Sequence, residues 1–298
     1  MSSENKHIPV VEFRNVCLNF DRKQVLTDVN LELRKGEMLV LTGESGSGKS
    51  VLLRLAIGLL KPDSGQIFVH GKEIDTMDES ELLAVRGGLM GMVFQEESLF
   101  TGLTVFENAG YRLEEHGWAQ DEIEKAVTEV LHFVGLDGEA NKLPEQLSGG
   151  MKRRLEIARA LIGWPSIMLF DEPTNSLDPI VAAQVLDLII RARDINGITS
   201  IYVTKKPHEI HYLTKCVASG SQETGVVICG AALESVPRTK IMVLDSGRIA
   251  FYGSADQFES ADSPIVNRML GLDTNNHAAD PYFQDPWDKS RRPEEELL

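Results

Sequence analysis

The chain has 298 residues, 45 acidic against 30 basic side chains for a formal net charge of −15, and 42% apolar residues. That length buries a substantial core, while the acidic balance argues against a nucleic-acid binder, which needs a basic stripe, and against direct adsorption to an anionic membrane. No apolar run reaches the roughly 18 residues of a membrane span, "MSSENKHIPV" lacks the core of a signal peptide, and Cys17, Cys216 and Cys229 lack metal spacing and read as reduced thiols of a cytosolic protein.

In chain order, "VVEFRNVCLNF" and "VLTDVNLEL" are rich in β-branched and apolar residues with partial alternation, and predict two strands. "KGEMLVLTG" is a turn followed by a short, almost wholly apolar run, the pattern of a strand buried on both faces. A glycine-rich loop and the helical pattern "KSVLLRLAIGLL" follow, stopped by "KPDSG". "QIFVHG" and "LMGMVFQ" predict further strands. From about Glu96 to Gln146 helical patterns dominate, "TVFENAGYRLEEH" and "DEIEKAVTEVLHFVGL" among them, so a helical insert within an α/β domain is expected. "SIMLFDE" and "ITSIYVT" return to buried strands around the helix "PIVAAQVLDLIIRARD". "KIMVLDSGRIAFYG" predicts a hairpin with a Ser-Gly turn, and "SPIVNRMLGL" a last amphipathic helix before an Asp/Pro/Glu-rich tail. No internal repeat is present.

Two stretches carry chemistry. "GESGSGKS", Gly43 to Ser50, follows a buried strand and opens a helix, the context that turns G-x-x-x-x-G-K-[ST] into a phosphate loop. Gly43, Gly46 and Gly48 let backbone N–H groups converge on an anion, with the positive end of the helix behind them. Glu44, Ser45 and Ser47 fill the loop between them. Lys49 supplies a point charge for β- and γ-phosphates, and the Ser50 hydroxyl is a natural Mg²⁺ ligand. "IMLFDEP" ends a hydrophobic strand in Asp171, suited to a Mg²⁺ shell, with Glu172 beside it to polarise a water. Read singly, each could be an ordinary glycine turn or a solvated pair of carboxylates.

"LSGGMKRR", Leu147 to Arg154, joined to Gly43–Ser50, Gln95 and Asp171–Pro173 in that order, resembles the ATP-binding-cassette (ABC) ATPases over about residues 10–253. The resemblance implies an α/β P-loop NTPase nucleotide-binding domain over residues 1–254, with an α-helical subdomain at about 96–150, and a C-terminal extension at 255–298. It implies ATP and Mg²⁺ as ligands and ATP hydrolysis as the activity. Ser148, Gly149 and Gly150 would reach the γ-phosphate of ATP held by a second ATPase subunit, so a dimer of two such chains is expected. Gln95 would touch Mg²⁺ and the attacking water. Asp178, in "NSLD", falls in the inter-subunit loop, and Phe20 where an aromatic ring stacks on adenine. Val51 stands where threonine is usual, keeping the backbone N–H and losing a hydroxyl.

Within that family, "SLFTGLTVFENAGYRLEEH" and "FYGSADQFESADSPIVNRMLGL" look like the ATPase subunits of Mla/Mce-type lipid transporters. That likeness implies a peripheral subunit on the cytoplasmic side of a bacterial inner membrane. It would act under a separate permease, with an MCE-type lipid-binding protein in the same system. By the same likeness the tail Asp280–Leu298 embraces a neighbouring subunit through Phe283 and Trp287; its composition also suits a disordered acidic tail.

Two departures stand out. The family places a histidine after the strand "SIYVT"; here Lys205 takes that place in "VTKKPHE", and His208 follows three residues later. Three readings stay open: Lys205 contacts the γ-phosphate itself, His208 swings in around a kink at Pro207, or the site turns over slowly and the chain is an ATP-gated scaffold. The second departure is "SGSQETGVVICGAALESVPR", Ser219–Arg238, where the family has a few residues. It is expected as a hairpin or loop over the site or at a subunit contact, linked to the change at Lys205.

Overall fold

The computed structural model describes residues 8–21, 23–221, 225–230 and 239–270. In chain order the strands and helices are β1 (Val11–Phe20), β2 (Lys23–Leu33), β3 (Met38–Gly43), α1 (Lys49–Ala56), β4 (Ser64–Val69), β5 (Lys72–Glu73), α2 (Glu79–Leu89) and β6 (Met90–Val93). Then come α3 (Val105–Glu115), α4 (Gln120–Phe133), α5 (Gly149–Leu161), β7 (Ile167–Asp171), α6 (Pro179–Asp194), β8 (Thr199–Val203) and α7 (Pro207–Lys215). β9 (Cys216–Ser221), β10 (Gly225–Gly230), β11 (Thr239–Asp245), β12 (Arg248–Ser254), α8 (Ala255–Glu259) and α9 (Pro264–Met269) complete the order.

Six strands form the central sheet in the order β12-β11-β3-β8-β7-β6, parallel except for the edge strand β12. β3, β7 and β8 are buried at every residue, which explains their unbroken apolar runs: both faces are covered. Alternate residues feed opposite cores. Val40, Met168, Phe170 and Tyr202 pack on the face covered by α3 to α7. Leu39, Leu41, Leu169 and Val203 pack on the other, with α1 and the antiparallel sheet β2-β1-β4-β5. The helices α3 to α5 interrupt the sheet between β6 and β7, where helical patterns dominate the sequence.

Local chemistry explains the element ends. α1 stops at Ala56, short of the predicted Leu60, as Gly58 just past its end takes a left-handed φ of 69°. Pro207 does not kink a loop; it is the first residue of α7, where its missing N–H is harmless. α2, which the hydrophobic pattern does not announce, starts on a capping box: Asp78 accepts from the Glu81 N–H at 2.9 Å, and the Glu81 carboxylate accepts from Asp78 N–H at 3.0 Å.

Of the two places expected for Ser219–Arg238, over the site or at a subunit contact, its described residues do not take the first. Its described residues form the hairpin β9–β10, docked on the C-terminal end of α6. Arg193 donates to the Cys216 carbonyl at 2.7 Å and to Leu213 O at 2.7 Å, while Asp194 accepts from the Ala218 N–H at 2.8 Å. α6 has 16 residues, so this end is about 24 Å from the helix start. β11 re-enters the sheet with Thr239 beside Met38, the end of β3 away from Gly43. The hairpin is therefore remote from Lys205, and the expected link between the two departures is not seen. The tail residues Phe283 and Trp287 lie outside the described residues.

The Arg193–Asp194 pair is buried, with Nε–Oδ1 at 2.6 Å. Removing one member strands the other charge, which costs about 3–5 kcal/mol. Arg193→Ala is therefore expected to lower the unfolding free energy measured in urea by that amount, whereas Val227→Thr, on the exposed side of β10, leaves it unchanged.

Candidate active site

The site assembles at the C-terminal ends of β3, β7 and β8. β3 ends in Gly43 at φ 143°, packed so closely that a Cβ would collide with the Leu244 carbonyl. Gly48 holds φ 104° at the cap of α1, where a Cβ would lie 2.7 Å from Leu26 on β2. Only glycine accommodates both the backbone angle and the contact at these two points. Lys49, 5% exposed, curls back over the loop and donates to the carbonyls of Gly43 and Glu44 at 2.8 and 2.7 Å. Burial draws its ammonium below the usual lysine range, opposed by Glu172 and reinforced by Lys205. Ser47 is buried beside it, Ser45 and Gly46 are exposed, and Glu44 forms an ion pair with Arg268 of α9. Val51 packs against the core on the antiparallel-sheet side, which accounts for an apolar side chain there.

The parallel pairing of β3, β8 and β7 puts the remaining groups in place. Ser50 Oγ donates to Asp171 Oδ1 at 3.0 Å, so the two oxygens expected around Mg²⁺ meet although 121 residues separate them. Burial raises the Asp171 carboxyl above the usual range, the Ser50 hydrogen bond counters this, and Glu172 adds to it. Clustered hard oxygens beside a carboxylate that is costly to keep charged alone suit a divalent cation. Gln95 lines a cleft of about 260 Å³ together with Arg54, Phe94, Glu96, Glu97, Ser98 and Asp171, which brings it to the Asp171 side of the site.

Glu172 stands just past β7 with φ 44°, its N–H donating to Val203 O at 3.1 Å. Lys205, just past β8, places Nζ 3.2 Å from Glu172 Oε2. His208 is exposed in the first turn of α7. Lys205, not His208, meets the carboxylate.

Phe20 is 45% exposed at the end of β1, two residues along the ladder from the Leu18–Leu26 rung beneath Gly48. That is a position from which a ring can flank a base above the loop. Ser148 caps α5, its Oγ accepting from Met151 N–H at 3.3 Å. Ser148 and Gly149 face solvent, while Gly150 is buried against Val181 of α6. Asp178 is exposed and caps α6 through bonds from Ile180 and Val181 N–H, both 3.1 Å.

Sequence reasoning missed a charged brace behind Gln95. Arg153 donates to Phe94 O and Gln95 O at 2.8 and 3.0 Å and pairs with Glu156 at 2.7 Å. Glu156, 3% exposed, accepts from Ser98 N–H at 2.6 Å, and Arg159 donates to Ser98 O at 2.8 Å. Burial raises the Glu156 carboxyl, and Arg153 opposes the shift. In sequence these residues look like a solvated face of "KRRLEIAR"; the alternation of charge with Leu155 and Ile157 was the available signal.

The sequence profile described as ABC transporter matches residues 26–175. The methionine import ATP-binding protein MetN of Carboxydothermus hydrogenoformans is 35% identical over 293 residues, 97% of this chain and 79% of that protein; further proteins of that name match similarly. Protein TRIGALACTOSYLDIACYLGLYCEROL 3, chloroplastic, of Arabidopsis thaliana is 34% identical over 275 residues, 89% of this chain and 74% of that one. Among solved structures, the dimeric bacterial ABC transporter cassette MJ0796, also seen in a post-hydrolysis state bound to ADP and Pi, matches with TM-score 0.68 and 28% identity. The match covers 82% of this chain and 98% of that one. The chain thus belongs to the ABC transporter family, as an ATP-binding, ATP-hydrolysing subunit that powers a membrane permease.

Proposed function

We propose that this chain hydrolyses ATP with Glu172 as the water-orienting carboxylate and Lys205 in the position of the γ-phosphate contact. The observation that carries the reading is the 3.2 Å contact between Lys205 Nζ and Glu172 Oε2. It puts a cation and a carboxylate together at the end of the phosphate loop. Lys205 is 46% exposed in its side chain, and such a pair contributes at most about 1 kcal/mol. A phosphate oxygen offers a stronger, charge-assisted bond, so the ammonium can leave Glu172 for the γ-phosphate and free the carboxylate to accept from water.

Lys49 then turns from its loop carbonyls to the β- and γ-phosphate oxygens. Phe20 stacks on adenine. Ser148, Gly149 and Gly150 reach the nucleotide of a second copy, with Asp178 at the junction. Mg²⁺, when bound, neutralises charge between the phosphates; Ser50, Asp171 and Gln95 would hold it. The permease docks at the Gln95 cleft, where Arg153, Glu156 and Arg159 join the Gln95–Ser98 segment to α5. Movement there is passed to the start of the same helix, which carries Ser148.

For the cargo we favour lipid. The support is the likeness of Ser98–His116 and Phe251–Leu272 to Mla/Mce-type subunits, together with a relative whose name is that of a galactolipid. On this reading an MCE-type lipid-binding protein belongs to the complex. Methionine import is the second reading, favoured by the relatives of that name.

Glu172→Gln is expected to lower steady-state phosphate release by about 10²-fold or more while ATP still binds. Lys205→Ala lowers kcat by roughly 10-fold or more, and Lys205→His restores turnover. Full activity in Lys205→Ala contradicts the role given to the lysine. With the permease complex in proteoliposomes, ATP-dependent transfer of a fluorescent phospholipid is expected and uptake of labelled methionine is not; the reverse result selects methionine import.

A further inference from the structure

Beneath the reactive edge lies a buried carboxylate that the hydrolytic reading leaves without a task. Glu209, in the first turn of α7, is fully buried. Its Oε2 accepts from Tyr202 OH at 2.9 Å and Thr204 Oγ1 at 2.6 Å. Its Oε1 accepts from the Thr174 hydroxyl and faces Lys206 Nζ at 3.1 Å. The four donors match the roughly four acceptor sites of a carboxylate. Burial, aided by Glu209 itself, keeps the Tyr202 phenol protonated, so it serves as donor.

The donors come from the two loops that matter. Thr174 lies two residues after Glu172, and Thr204 immediately precedes Lys205. Lys206 closes the ring, donating to Thr174 O at 3.0 Å as well as to Thr174 Oγ1 at 3.2 Å. The Lys206 N–H also donates to Thr204 Oγ1 at 3.1 Å. One carboxylate and one ammonium thus tie the end of β7 to the end of β8 immediately behind the Glu172–Lys205 pair.

The geometry points to Glu209 as a positioning residue for hydrolysis, acting through Thr174 and Thr204 to hold Glu172 and Lys205 in mutual reach, with Lys206 as its brace. The inference rests on reading Glu172 and Lys205 as the hydrolytic pair. Glu209 itself touches neither nucleotide nor water. It makes the two loops move as one body, so that Lys205 exchanges Glu172 for a phosphate without Glu172 drifting from the water it must orient.

The test is a double-mutant cycle on the full chain, with phosphate release and fluorescent-ATP affinity measured together. Glu209→Gln is isosteric but has one acceptor oxygen where there were two. It is expected to lower kcat by roughly 10²-fold, the effect of a small misplacement, with nucleotide affinity unchanged. Lys205→Ala added to it then slows turnover little further, because the lysine has already lost its station. Lys206→Met reproduces part of the loss in kcat with affinity again unchanged. Rates are counted per nucleotide-binding site, so misfolded chain does not enter. Wild-type kcat in Glu209→Gln overturns the inference. So does a loss that multiplies in full with that of Lys205→Ala while affinity falls in step, the mark of general loosening. Glu172→Gln run alongside separates the two levels. If it is inactive while Glu209→Gln is fully active, only the positioning role falls; if it keeps wild-type turnover, the hydrolytic reading falls and takes this inference with it.

Discussion

The parallel register of β7 and β8, Asp171 beside Val203, is the constraint on which the site depends. Each strand ends there, and the next residues must leave the sheet. Glu172 does so in a left-handed conformation while keeping one more bond to Val203 O. Lys205 does so two residues beyond Val203. A slip of one residue in that register would turn one strand's side chains to the other face, parting Phe170 from its rung with Tyr202 and Glu172 from Lys205. The apolar burial of three whole strands therefore fixes the position of two charges. Dispersion and hydrophobic packing bring the two strand ends together, and the Glu209–Lys206 network ties the loops that leave them.

From that edge the structure branches two ways. Through Ser50 and Asp171 it reaches the phosphate loop, which is closely packed against β2 and against Leu244 of β11. Through the Gln95 cleft it reaches α5 by way of buried guanidinium and carboxylate groups. On the proposed reading these are the parts a nucleotide-driven subunit needs: a rigid cradle, a reactive pair, and a stiff link from a docking cleft to residues that would meet a neighbouring subunit. The hairpin β9–β10 belongs to neither branch. Arg193 and Asp194 hold it at the opposite end of α6.

Legibility in the sequence followed the length scale of each interaction. The phosphate loop, the Asp171–Glu172 pair and the Ser148–Gly150 stretch are contiguous, because their chemistry needs adjacent backbone groups; they were readable at once. The buried strands were readable because both faces are covered. What could not be read depends on distant partners. Glu209 resembles any acidic residue favoured in the first turn of a helix, and only the folded chain shows it under Thr174 and Thr204. Arg153 and Glu156 look like surface charges until the Gln95 segment closes on them. Pro207 suggests a kink in the sequence yet begins α7, because the same fixed φ serves both uses. A hairpin is legible in the sequence, but its nearness to Lys205 along the chain says nothing about the end of α6 on which it docks.

The central claim is that a lysine does at the end of β8 what the family entrusts to a histidine. The most direct measurement is a structure of the Glu172→Gln chain in its dimer with Mg·ATP. Lys205 Nζ is expected within hydrogen-bond distance, about 2.7–3.2 Å, of a γ-phosphate oxygen, with His208 left in solvent. His208 on the phosphate, or Lys205 still against residue 172 with the γ-phosphate contacted by neither, would contradict it.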